Sequence, residues 1–515
     1  MTVQLTQENF EVTTDTVRGS DTLVSFSNHH HQDTEYELDQ SESLTFLYNL
    51  LYDEQSQLTK SDILNILHSL KQREDSLPFS YMGANTNDIQ GVDWPPGLKE
   101  KFYSDRRRIG SDKWFHNIPG SLDRAVNKVS ILSSRSHTEF FKYHKFYSKL
   151  KLHITHFQLR NLVCSNNITG GIFYPSSHFH DNHLQTTNNF ESTDSIHSYF
   201  KINRLSPDEQ SNVRNSMQLD CVMDSRSLLR NSNSRISTLA CSDKYLVSGT
   251  FEGDYILTDI SDPQHFLHLG EHNLTRNYDG ITNSIVINDN KQLIASSNDK
   301  SIRLVDLSTN HKTEIVLPFA GNCLAMNRFN PNEIFVSGDY LSSFILDKRI
   351  PLTKFEQVVQ YKGQEDYSFS CDWSPTNENL LLSGNQDGNV RIWDKRFNEE
   401  PLFSWKGSLG LSSGDVVPGP VRNTKFSHKG QFVCWGESLD HVGIVNIDDL
   451  HSNTQQMDRI QSIDFIGKCT GLSFCETENG YGEQLIIGVN DCPLGGILSY
   501  SLESSEKCLD FDLRF

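Results

Sequence analysis

Two groups of histidines have the spacing in this chain that is closest to that of a metal site. His178, His180 and His183 form an H-x-H-x-x-H pattern, and residues 29–31 are a histidine triplet. Imidazole nitrogens are common ligands of zinc and other transition metals. An ordered site, however, needs ligands held on a rigid frame with supporting hydrogen bonds, and both groups lie in polar segments. We therefore expect only adventitious affinity for metal ions, with no bound metal and no cofactor.

Motifs that mark common catalytic sites give little support for an enzyme. The chain has neither the G-x-x-x-x-G-K-[ST] of phosphate-binding loops nor the H-E-x-x-H of zinc proteases. Ser, His and Asp are abundant, but their spacing selects no set that would form a catalytic triad. We predict no catalytic residues and no small-molecule substrate, and a function in binding.

The end of the sequence has a pattern suited to protein binding. Leu509, Phe511, Leu513 and Phe515 alternate with charged residues, so an extended strand would place all four side chains on one side. One interpretation is a strand that completes a domain. The other is an apolar C-terminal tail, residues 506–515, that docks in a groove of another protein with its carboxylate also captured.

These side chains need a frame to position them, and residues 379–396 indicate which one. The segment reads NLLLSGNQDGNVRIWDKR: an apolar run, a turn at Asp387, and an alternating run that ends on Trp393 and Asp394. Two short strands joined by a tight turn and closed by Trp-Asp are the signature of a WD repeat. Asp387, Trp393 and Asp394 are therefore predicted to be structural, because a turn carboxylate accepts backbone hydrogen bonds.

Related strand–turn–strand patterns recur, mostly at intervals of about 40–53 residues, the size of one four-stranded blade. Seven such units predict an all-β fold, a seven-bladed WD40-type β-propeller over residues 149–505, whose blades bury their faces against each other. Because the ring closes only if its ends meet, Lys149–Phe157 is predicted to complete the last blade. The fourth unit is irregular, since it ends on Leu-Asp instead of Trp-Asp. The seven units are residues 161–175, 245–260, 292–307, 333–349, 379–396, 431–448 and 483–503.

The remaining segments predict a partly helical, partly disordered N-terminal extension and one insertion. Residues 1–40 are polar and acidic and are predicted to be a disordered tail. Residues 41–75 have helical spacing and predict a helical hairpin, with Ser61 as an N-cap, that packs on the main domain or binds a partner. Residues 76–148 predict an extended arm packed on the propeller. Residues 176–230, rich in Ser, Asn, His and Asp, predict a disordered insertion between blades.

Charge and composition restrict the partners and the compartment. The formal net charge of −20 argues against nucleic acid or an anionic membrane as the main partner. No apolar run approaches the roughly 20 residues that span a bilayer, and the first residues lack the features of a signal peptide. The ten cysteines include no C-x-x-C pair, which favours reduced thiols inside the cell. We expect a cytoplasmic protein, with the nucleus as a second compartment.

Several segments beyond the generic repeat resemble a fungal and plant WD-repeat family. This family includes the yeast WD-repeat substrate receptor of the GID (glucose-induced degradation) E3 ubiquitin ligase. The resemblance implies a receptor that holds the N-terminal degron of a substrate on the propeller. It also implies a short apolar C-terminal tail that anchors the receptor to the scaffold subunit of the ligase. The segments that carry the resemblance are DIQGVDW (88–94), ITHFQLRNL (154–162), ISTLACSDKYLVSGTFEG (236–253), EDYSFSCDWSP (365–375), LSGNQDGNVRIWD (382–394), GPVRNTKFSHKGQFV (419–433) and QSIDFIGKCTGLSF (461–474).

We therefore predict a non-catalytic receptor that recruits substrate proteins to a GID-type ubiquitin ligase for proteasomal degradation. A free substrate N-terminus would need a carboxylate on the propeller's top face or in its channel. Asp299, Glu365 and Asp366 are the candidate substrate-binding residues. The alternative is a general WD-repeat scaffold or a transcription-related adaptor, unconnected with ubiquitin, that binds partners through the acidic tail and the helical hairpin.

Overall fold

The structure is a computed structural model, and it describes most of the chain between Thr59 and Leu502. The described residues are 59–73, 76–78, 88–95, 98–99, 118–121, 124, 139–148, 150–152, 161–166, 171–179, 198–207, 217–228, 234–350, 358–407, 419–451, 460–476, 482–491 and 493–502. The predicted acidic tail (1–40), the first helix of the hairpin and the apolar tail (506–515) lie outside these residues.

Three helices and twenty-nine strands lie in the described part of the chain. The helices are α1 (Lys60–Gln72), α2 (Ser225–Leu228) and α3 (Ile447–His451). The strands are β1 (Ser76–Pro78), β2 (Lys142–Tyr147), β3 (Cys164–Asn166), β4 (Gly171–Phe179), β5 (Ser198–Pro207), β6 (Met217–Asp224), β7 (Ile236–Cys241), β8 (Tyr245–Thr250), β9 (Asp254–Asp259), β10 (Leu267–Asn273), β11 (Thr282–Asn288), β12 (Gln292–Ser297), β13 (Ser301–Asp306), β14 (Lys312–Val316), β15 (Gly321–Met326), β16 (Glu333–Gly338), β17 (Ser343–Asp347), β18 (Val359–Tyr361), β19 (Ser368–Trp373), β20 (Leu380–Asn385), β21 (Asn389–Asp394), β22 (Phe403–Lys406), β23 (Val421–Phe426), β24 (Phe432–Glu437), β25 (His441–Asn446), β26 (Ile460–Asp464), β27 (Lys468–Glu476), β28 (Glu483–Asn490) and β29 (Gly496–Leu502).

The strands form seven antiparallel sheets around a central channel, so the predicted seven-bladed β-propeller is confirmed. Blades 1 to 6 take β3 to β26 four at a time, and within each blade the strands are named a to d from the channel outward. Blade 7 consists of β27, β28, β29 and β2, with β1 paired outside β2. The a strands of neighbouring blades contact each other around the whole ring, including β27 of blade 7 with β3 of blade 1.

The direction of the strands gives the propeller two distinct faces. Because successive strands of a blade run antiparallel, the b–c hairpins and the loops from one blade's d strand to the next a strand share one face. That face is called the b–c face here. The a–b and c–d turns lie on the opposite face.

The described parts of the region predicted to be a disordered insertion, 176–230, instead complete blade 1. β4 extends to Phe179, and β5, β6 and α2 all lie in this range and pair in order. The prediction was wrong because the segment is poor in apolar residues. β6 is the outermost strand of its blade and buries only part of its surface, so it needs few apolar side chains.

The strand that closes the ring is β2, and it precedes the predicted Lys149–Phe157. β2 pairs with β29 from Lys142↔Ser501 to Tyr147↔Ile497, whereas the described residues 150–152 are not in a strand. The side chain of Phe146 is fully buried in the core of blade 7. Phe146, on the inner side of β2, thus supplies the apolar contact that closes the blade. The prediction chose K-L-K-L-H-I, residues 149–154, because its apolar residues alternate more regularly.

Alternation along the central strands builds the contacts between blades. In β20 the side chains of Leu380 and Leu382 pack against blade 6, while Leu381 points the other way and packs against blade 4. Trp393 on β21 joins the same contact with blade 4. Because both faces of a middle blade are covered, these strands are almost wholly buried.

The second predicted helix exists as α1, but its N-cap is Thr59 and not Ser61. The Thr59 hydroxyl accepts a hydrogen bond from the Asp62 backbone N–H, and the Asp62 carboxylate accepts one from the Thr59 N–H. This capping box begins the helix two residues before the predicted cap. Ile66 on α1 packs with Ile466 and other apolar side chains on the b–c face of blade 7.

The D-I-Q-G segment fastens the N-terminal extension to blade 7. The buried Gln90 side chain donates to the carbonyls of Ile466 and Leu494, at 2.9 and 2.7 Å, and accepts from the Ile466 N–H at 2.7 Å. Gly91 follows with φ +75°, and a Cβ there would lie 2.4 Å from Leu77. Glycine is therefore required at this turn by both conformation and space.

Among the described residues, no helix is long and apolar enough to cross a membrane. The eight cysteines in the same residues are all free thiols, five of them buried.

Candidate protein-binding face

The b–c face of blades 4 and 5 brings carboxylates and aromatic side chains together beside the channel mouth. This group is called the acidic–aromatic site here. Its members are Asp339, Tyr340 and Leu341 in the b–c hairpin of blade 4, and Glu365, Asp366 and Tyr367 in the loop that enters blade 5.

The hairpin of blade 4 presents large side chains where blade 5 has a tight Asp-Gly turn. Tyr340 and Leu341 are 39% and 42% exposed. Tyr340 rests on Phe319 and Phe344, with ring centroids 5.3 and 5.4 Å apart. The aromatic support fixes the exposed surface, which is a feature of protein-binding sites. The sequence analysis noted only the Leu-Asp ending of this unit and did not identify the hairpin residues.

The loop of the acidic–aromatic site is held by the WD network of blade 5. The backbone N–H of Glu365 donates to the Asp387 carboxylate at 3.0 Å, and Arg391 binds the same carboxylate through two hydrogen bonds. The side chain of Gln364 donates to the Ser343 hydroxyl in blade 4 at 2.8 Å. The loop is thus fixed to blade 5 through Asp387 and to blade 4 through Gln364.

Negatively charged side chains lie between blades 4 and 5. Asp339 accepts a hydrogen bond from Asn322, a residue that lines the channel, at 2.8 Å. Burial, together with the carboxylates of Asp339 and Asp366, raises the pKa of Tyr367. The carboxylates of Asp339 and Asp366 both act on this one phenol, so this part of the face favours a cationic or hydrogen-bond-donating ligand.

Two of the predicted substrate-binding residues are already in contact with the N-terminal extension. The Ser121 hydroxyl donates to the Asp366 carboxylate at 3.0 Å, and the Ile118 N–H approaches the same oxygen at 3.5 Å. Arg124 forms an ion pair with Glu365, with Nε and Oε2 2.8 Å apart. The described parts of the extension therefore contact both blade 7 and blade 5 on the b–c face, which the sequence did not reveal.

The third predicted residue, Asp299, lies in the b–c turn of blade 3, away from the other two. Arg303 binds its carboxylate at 3.0 and 2.7 Å, and Asn277 donates to it at 3.0 Å. Burial opposes ionisation of this carboxyl, but the Arg303 guanidinium and the neighbouring donors outweigh burial and lower its pKa. Its geometry repeats that of Asp387 and Arg391, so it resembles a structural WD aspartate.

Trp393 and Asp394 also have local structural contacts. The Trp393 indole N–H donates to the carbonyl of Lys362 at 3.2 Å, with the ring fully buried. Asp394 accepts two hydrogen bonds from the Arg396 guanidinium at 2.9 and 2.6 Å. Both residues help to shape blade 5 and its c–d turn.

The central channel has a volume of about 330 Å³ and a mixed polar and apolar lining. Lys425 and Asp372, on neighbouring a strands, are among its charged residues, and the Asp372 carboxylate raises the pKa of Lys425. Asp372 also accepts a hydrogen bond from the Phe426 N–H at 2.8 Å. Across the channel, the hydroxyls of Ser165 and Ser473 lie 2.7 Å apart.

The described residues give the H-x-H-x-x-H pattern no support as a metal site. His178 lies in β4, opposite Tyr199, and His180 and His183 are outside the described residues. In the described part of the chain, no three His, Cys, Asp or Glu residues are grouped so as to hold a metal.

The sequence matches the model of the WD domain, G-beta repeat, over residues 355–394. This range contains blade 5 up to the end of β21, the most regular of the seven units. One segment of this seven-bladed β-propeller thus matches a WD repeat. This fold is usually a non-catalytic platform for protein interactions, and the propeller carries no evidence of catalysis in its described residues.

Curated relatives align with part of the propeller. A ribosome biogenesis protein WDR12 homolog from Aedes aegypti is 33% identical over 112 residues, which are 21% of this chain and 25% of that protein. A WD repeat-containing protein 26 homolog from Arabidopsis thaliana is 29% identical over 147 residues, 27% of this chain and 24% of that protein. E3 ubiquitin-protein ligase COP1 from Pisum sativum is 25% identical over 114 residues, 22% of this chain and 15% of that protein. The chain thus spans about a quarter of the length of the first relatives it matches.

Two solved structures show similarity over a larger share of the chain. A chain of the mitotic checkpoint complex is 13% identical, covers 72% of this chain and 96% of that chain, and has a TM-score of 0.47. Chaetomium thermophilum Raptor is also 13% identical, covers 75% of this chain and 31% of that chain, and has a TM-score of 0.49.

Proposed function

We propose that this protein is a substrate receptor of an intracellular GID-type E3 ubiquitin ligase. The b–c face binds the substrate protein, and the apolar tail 506–515 binds the scaffold subunit of the ligase. The receptor supplies binding and no catalysis, and it acts in the cytoplasm and the nucleus. The observation that carries the proposal is the separation of Leu502, the last described residue before the tail, from the b–c face, because Leu502 lies on the opposite face of the propeller.

The path of β29 supports this separation. β29 is the c strand of blade 7, so it begins at the b–c hairpin and ends at Leu502 on the opposite face. The acidic–aromatic site is on the b–c face of blades 4 and 5. A ligase bound to the residues after Leu502 therefore leaves the b–c face open for a substrate.

The composition of blade 7 supports an anchoring role for the tail over a role as a blade strand. β2 already fills the d position, and β1 pairs with the outer edge of β2. The inner four strands of this blade are complete without residues 506–515. The alternating Leu and Phe side chains of that tail are then suited to a groove on another protein.

Deletion of Leu509 to Phe515 tests the proposal. We expect the shortened protein to lose co-purification with the scaffold subunits of the ligase while its far-UV circular dichroism and melting temperature stay unchanged. Phe515→Ala should weaken the association at least about tenfold, and a matched Phe397→Ala change, at an exposed Phe in a c–d turn, should not. Unchanged association after the deletion would contradict the proposal, and an unfolded deletion protein would assign the tail to the propeller.

A scaffold unconnected with ubiquitin is the second candidate, and the curated relatives provide a reason to keep it. The ribosome biogenesis proteins are 32–38% identical to segments of the chain, against 25–26% for the COP1 ligases. A scaffold would retain its protein partners after the deletion but would co-purify with no ligase subunit before it. The same experiment thus separates the two candidates.

A further inference from the structure

We propose that Glu365 and Asp366 form a peptide-binding site that the chain's own Ser121 and Arg124 occupy as a built-in competitor. The partner that displaces them is a protein segment with the pattern Ser-x-x-Arg. This inference rests on the proposed function, because it specifies the class of partner that the b–c face accepts.

The contacts of the occupying segment are those of a bound peptide. A hydroxyl and a backbone N–H approach one Asp366 oxygen, and a guanidinium three residues later pairs with Glu365. Hydrogen bonds to a carboxylate from charged or polar donors are among the strongest in proteins. Ser121 and Asp366 are both fully buried, whereas the Arg124 side chain is 47% exposed. The site therefore encloses the Ser side chain, whereas the Arg side chain contacts the site from the solvent side.

The receiving loop is fixed before any ligand arrives. The Asp387 carboxylate holds the Glu365 N–H, and Asp366 itself accepts a hydrogen bond from the Tyr367 N–H at 2.8 Å. These contacts lie within the propeller and do not depend on the extension. A preorganised pair of carboxylates retains its geometry when the occupant leaves, which reduces the cost of accepting another ligand.

This contact differs in kind from the attachment of the extension at blade 7. Gln90 bonds only to backbone atoms of the propeller and is buried together with the apolar cluster around α1. The segment at 118–124, in contrast, meets the side chains of two acidic residues. Residues 100–117 and 125–138 separate it from Lys99 and Glu139, and at ~3.3 Å per residue stretches of that length span on the order of 50 Å. The segment can therefore leave the carboxylates while the attachment at Gln90 stays intact.

A partner segment gains contacts beyond those of the occupant's Ser and Arg. Tyr340 and Leu341 keep about two-fifths of their surface exposed beside the occupied carboxylates. A tethered competitor acts at an effective concentration of about millimolar, so only partners that use this additional surface displace it. Competition of this kind makes the site selective among basic peptides in a protein whose net charge is −20.

The test uses the full chain and a fluorescent peptide with the sequence of residues 114–128, WFHNIPGSLDRAVNK. Anisotropy measures its binding to the wild type and to the S121A/R124A variant, whose site is released. We expect the variant to bind at least ten times more tightly than the wild type. Adding E365Q/D366N to the variant should abolish binding, and a matched Asp279→Asn change, at an exposed acid on the same face, should not.

The outcomes distinguish a displaceable occupant from a structural strap. Equal binding by the variant and the wild type, or binding that survives E365Q/D366N, would overturn the inference. If S121A/R124A lowers the melting temperature strongly, the single R124A variant, which removes only the half-exposed ion pair, repeats the measurement. No gain in binding there would assign the contact to a strap. Because the assay contains no ligase, its failure leaves the tail experiment unaffected, and the converse also holds.

Discussion

Arg391 binds Asp387 through two hydrogen bonds, of 3.1 and 2.7 Å, between side chains that are both almost fully buried. The same pair recurs four residues apart in blade 3, where Arg303 binds Asp299 at 3.0 and 2.7 Å. In blade 5 the carboxylate also holds the backbone of Glu365. One structural ion pair therefore connects the core of the best WD repeat with the loop of the acidic–aromatic site.

Replacement of Arg391 with Ala should destabilise the protein strongly. The change leaves the Asp387 carboxylate buried without its guanidinium, and breaking a buried pair from one side costs about 3–5 kcal/mol. Urea unfolding followed by tryptophan fluorescence measures the loss, because Trp393 and Trp405 belong to the same blade. The matched control is Arg396→Ala, whose Arg is largely exposed and should leave the unfolding midpoint unchanged. Equal effects of the two changes would contradict the structural role of the buried pair.

Replacement of Gln90 with Ala should detach the extension from blade 7 without opening the propeller. Three hydrogen bonds to buried backbone groups disappear, and each buried polar group left unsatisfied costs about 1–3 kcal/mol. We expect faster hydrogen exchange at the Ile466 amide and faster proteolysis near α1, with unchanged exchange in blades 2 to 4. Gln264→Ala, at an exposed position, is the control. Unchanged protection of Ile466 would show that the apolar cluster alone holds the extension.

Cys323 should be the most reactive described thiol near neutral pH. It lines the channel, and the hydrogen bond from the Cys371 thiol, with Lys425 nearby, lowers its pKa to about 7. Burial raises the pKa of Cys371 and of the more exposed Cys221, so both remain protonated thiols. Because the thiolate is the reactive form, iodoacetamide at pH 7.5 should modify Cys323 first, as read by peptide mass spectrometry. Faster labelling of Cys221 would contradict this, and Cys323→Ser provides the blank.

Periodicity predicted the blades well because each central strand alternates between two covered faces, as Leu380, Leu381 and Leu382 do. Periodicity failed for strands that do not alternate between two covered faces or that lie outside the repeats. β6 exposes much of its surface, so its polar sequence resembles a disordered insertion. β2 closes the ring through a short strand with the buried Phe146, which has no repeat signature of its own.

The acidic–aromatic site was predictable only in part. Glu365 and Asp366 were identified as candidates because acidic residues in a loop stand out in a sequence. Their contact with Ser121 and Arg124 was not, because these residues are more than 240 positions away and no local pattern couples them. The unit that contains Tyr340 was noted only for its Leu-Asp ending, and the hairpin was not predicted because the aromatic packing beneath it arises only in the folded blade.

Two histidines of β10 should make the protein less stable in mild acid. Burial lowers the pKa of His268 and, together with the Lys312 charge, that of His272 below the ordinary value of 6.5; Glu271 partly opposes the effect at His268. The unfolded chain then binds protons more readily than the folded one just below pH 6.5, so stability falls as the pH decreases through that window. Melting temperatures measured from pH 7.5 to 5 should fall less steeply in the H268Q/H272Q variant. Parallel curves would exclude these histidines as the cause.

The b–c face should lose substrates, but not the ligase, when the exposed side chains of blade 4 are shortened. Tyr340 and Leu341 project from a hairpin supported by Phe319, and truncation of such an aromatic anchor typically costs about 2 kcal/mol or more of binding energy. Both are largely outside the core, so the Y340A/L341A variant should keep its melting temperature within a few degrees.

The readout for this variant is the set of cellular proteins whose half-lives lengthen when the whole chain is deleted. In the Y340A/L341A strain the same proteins should lengthen their half-lives, while co-purification with the ligase scaffold persists. A strain that carries only Phe397→Ala should keep the normal half-lives of these proteins. The exposed ring of Phe397 lies on the opposite face, remote from the proposed substrate site. Normal turnover in Y340A/L341A would move substrate binding away from blade 4, toward the channel around Lys425 or the blades that the extension covers.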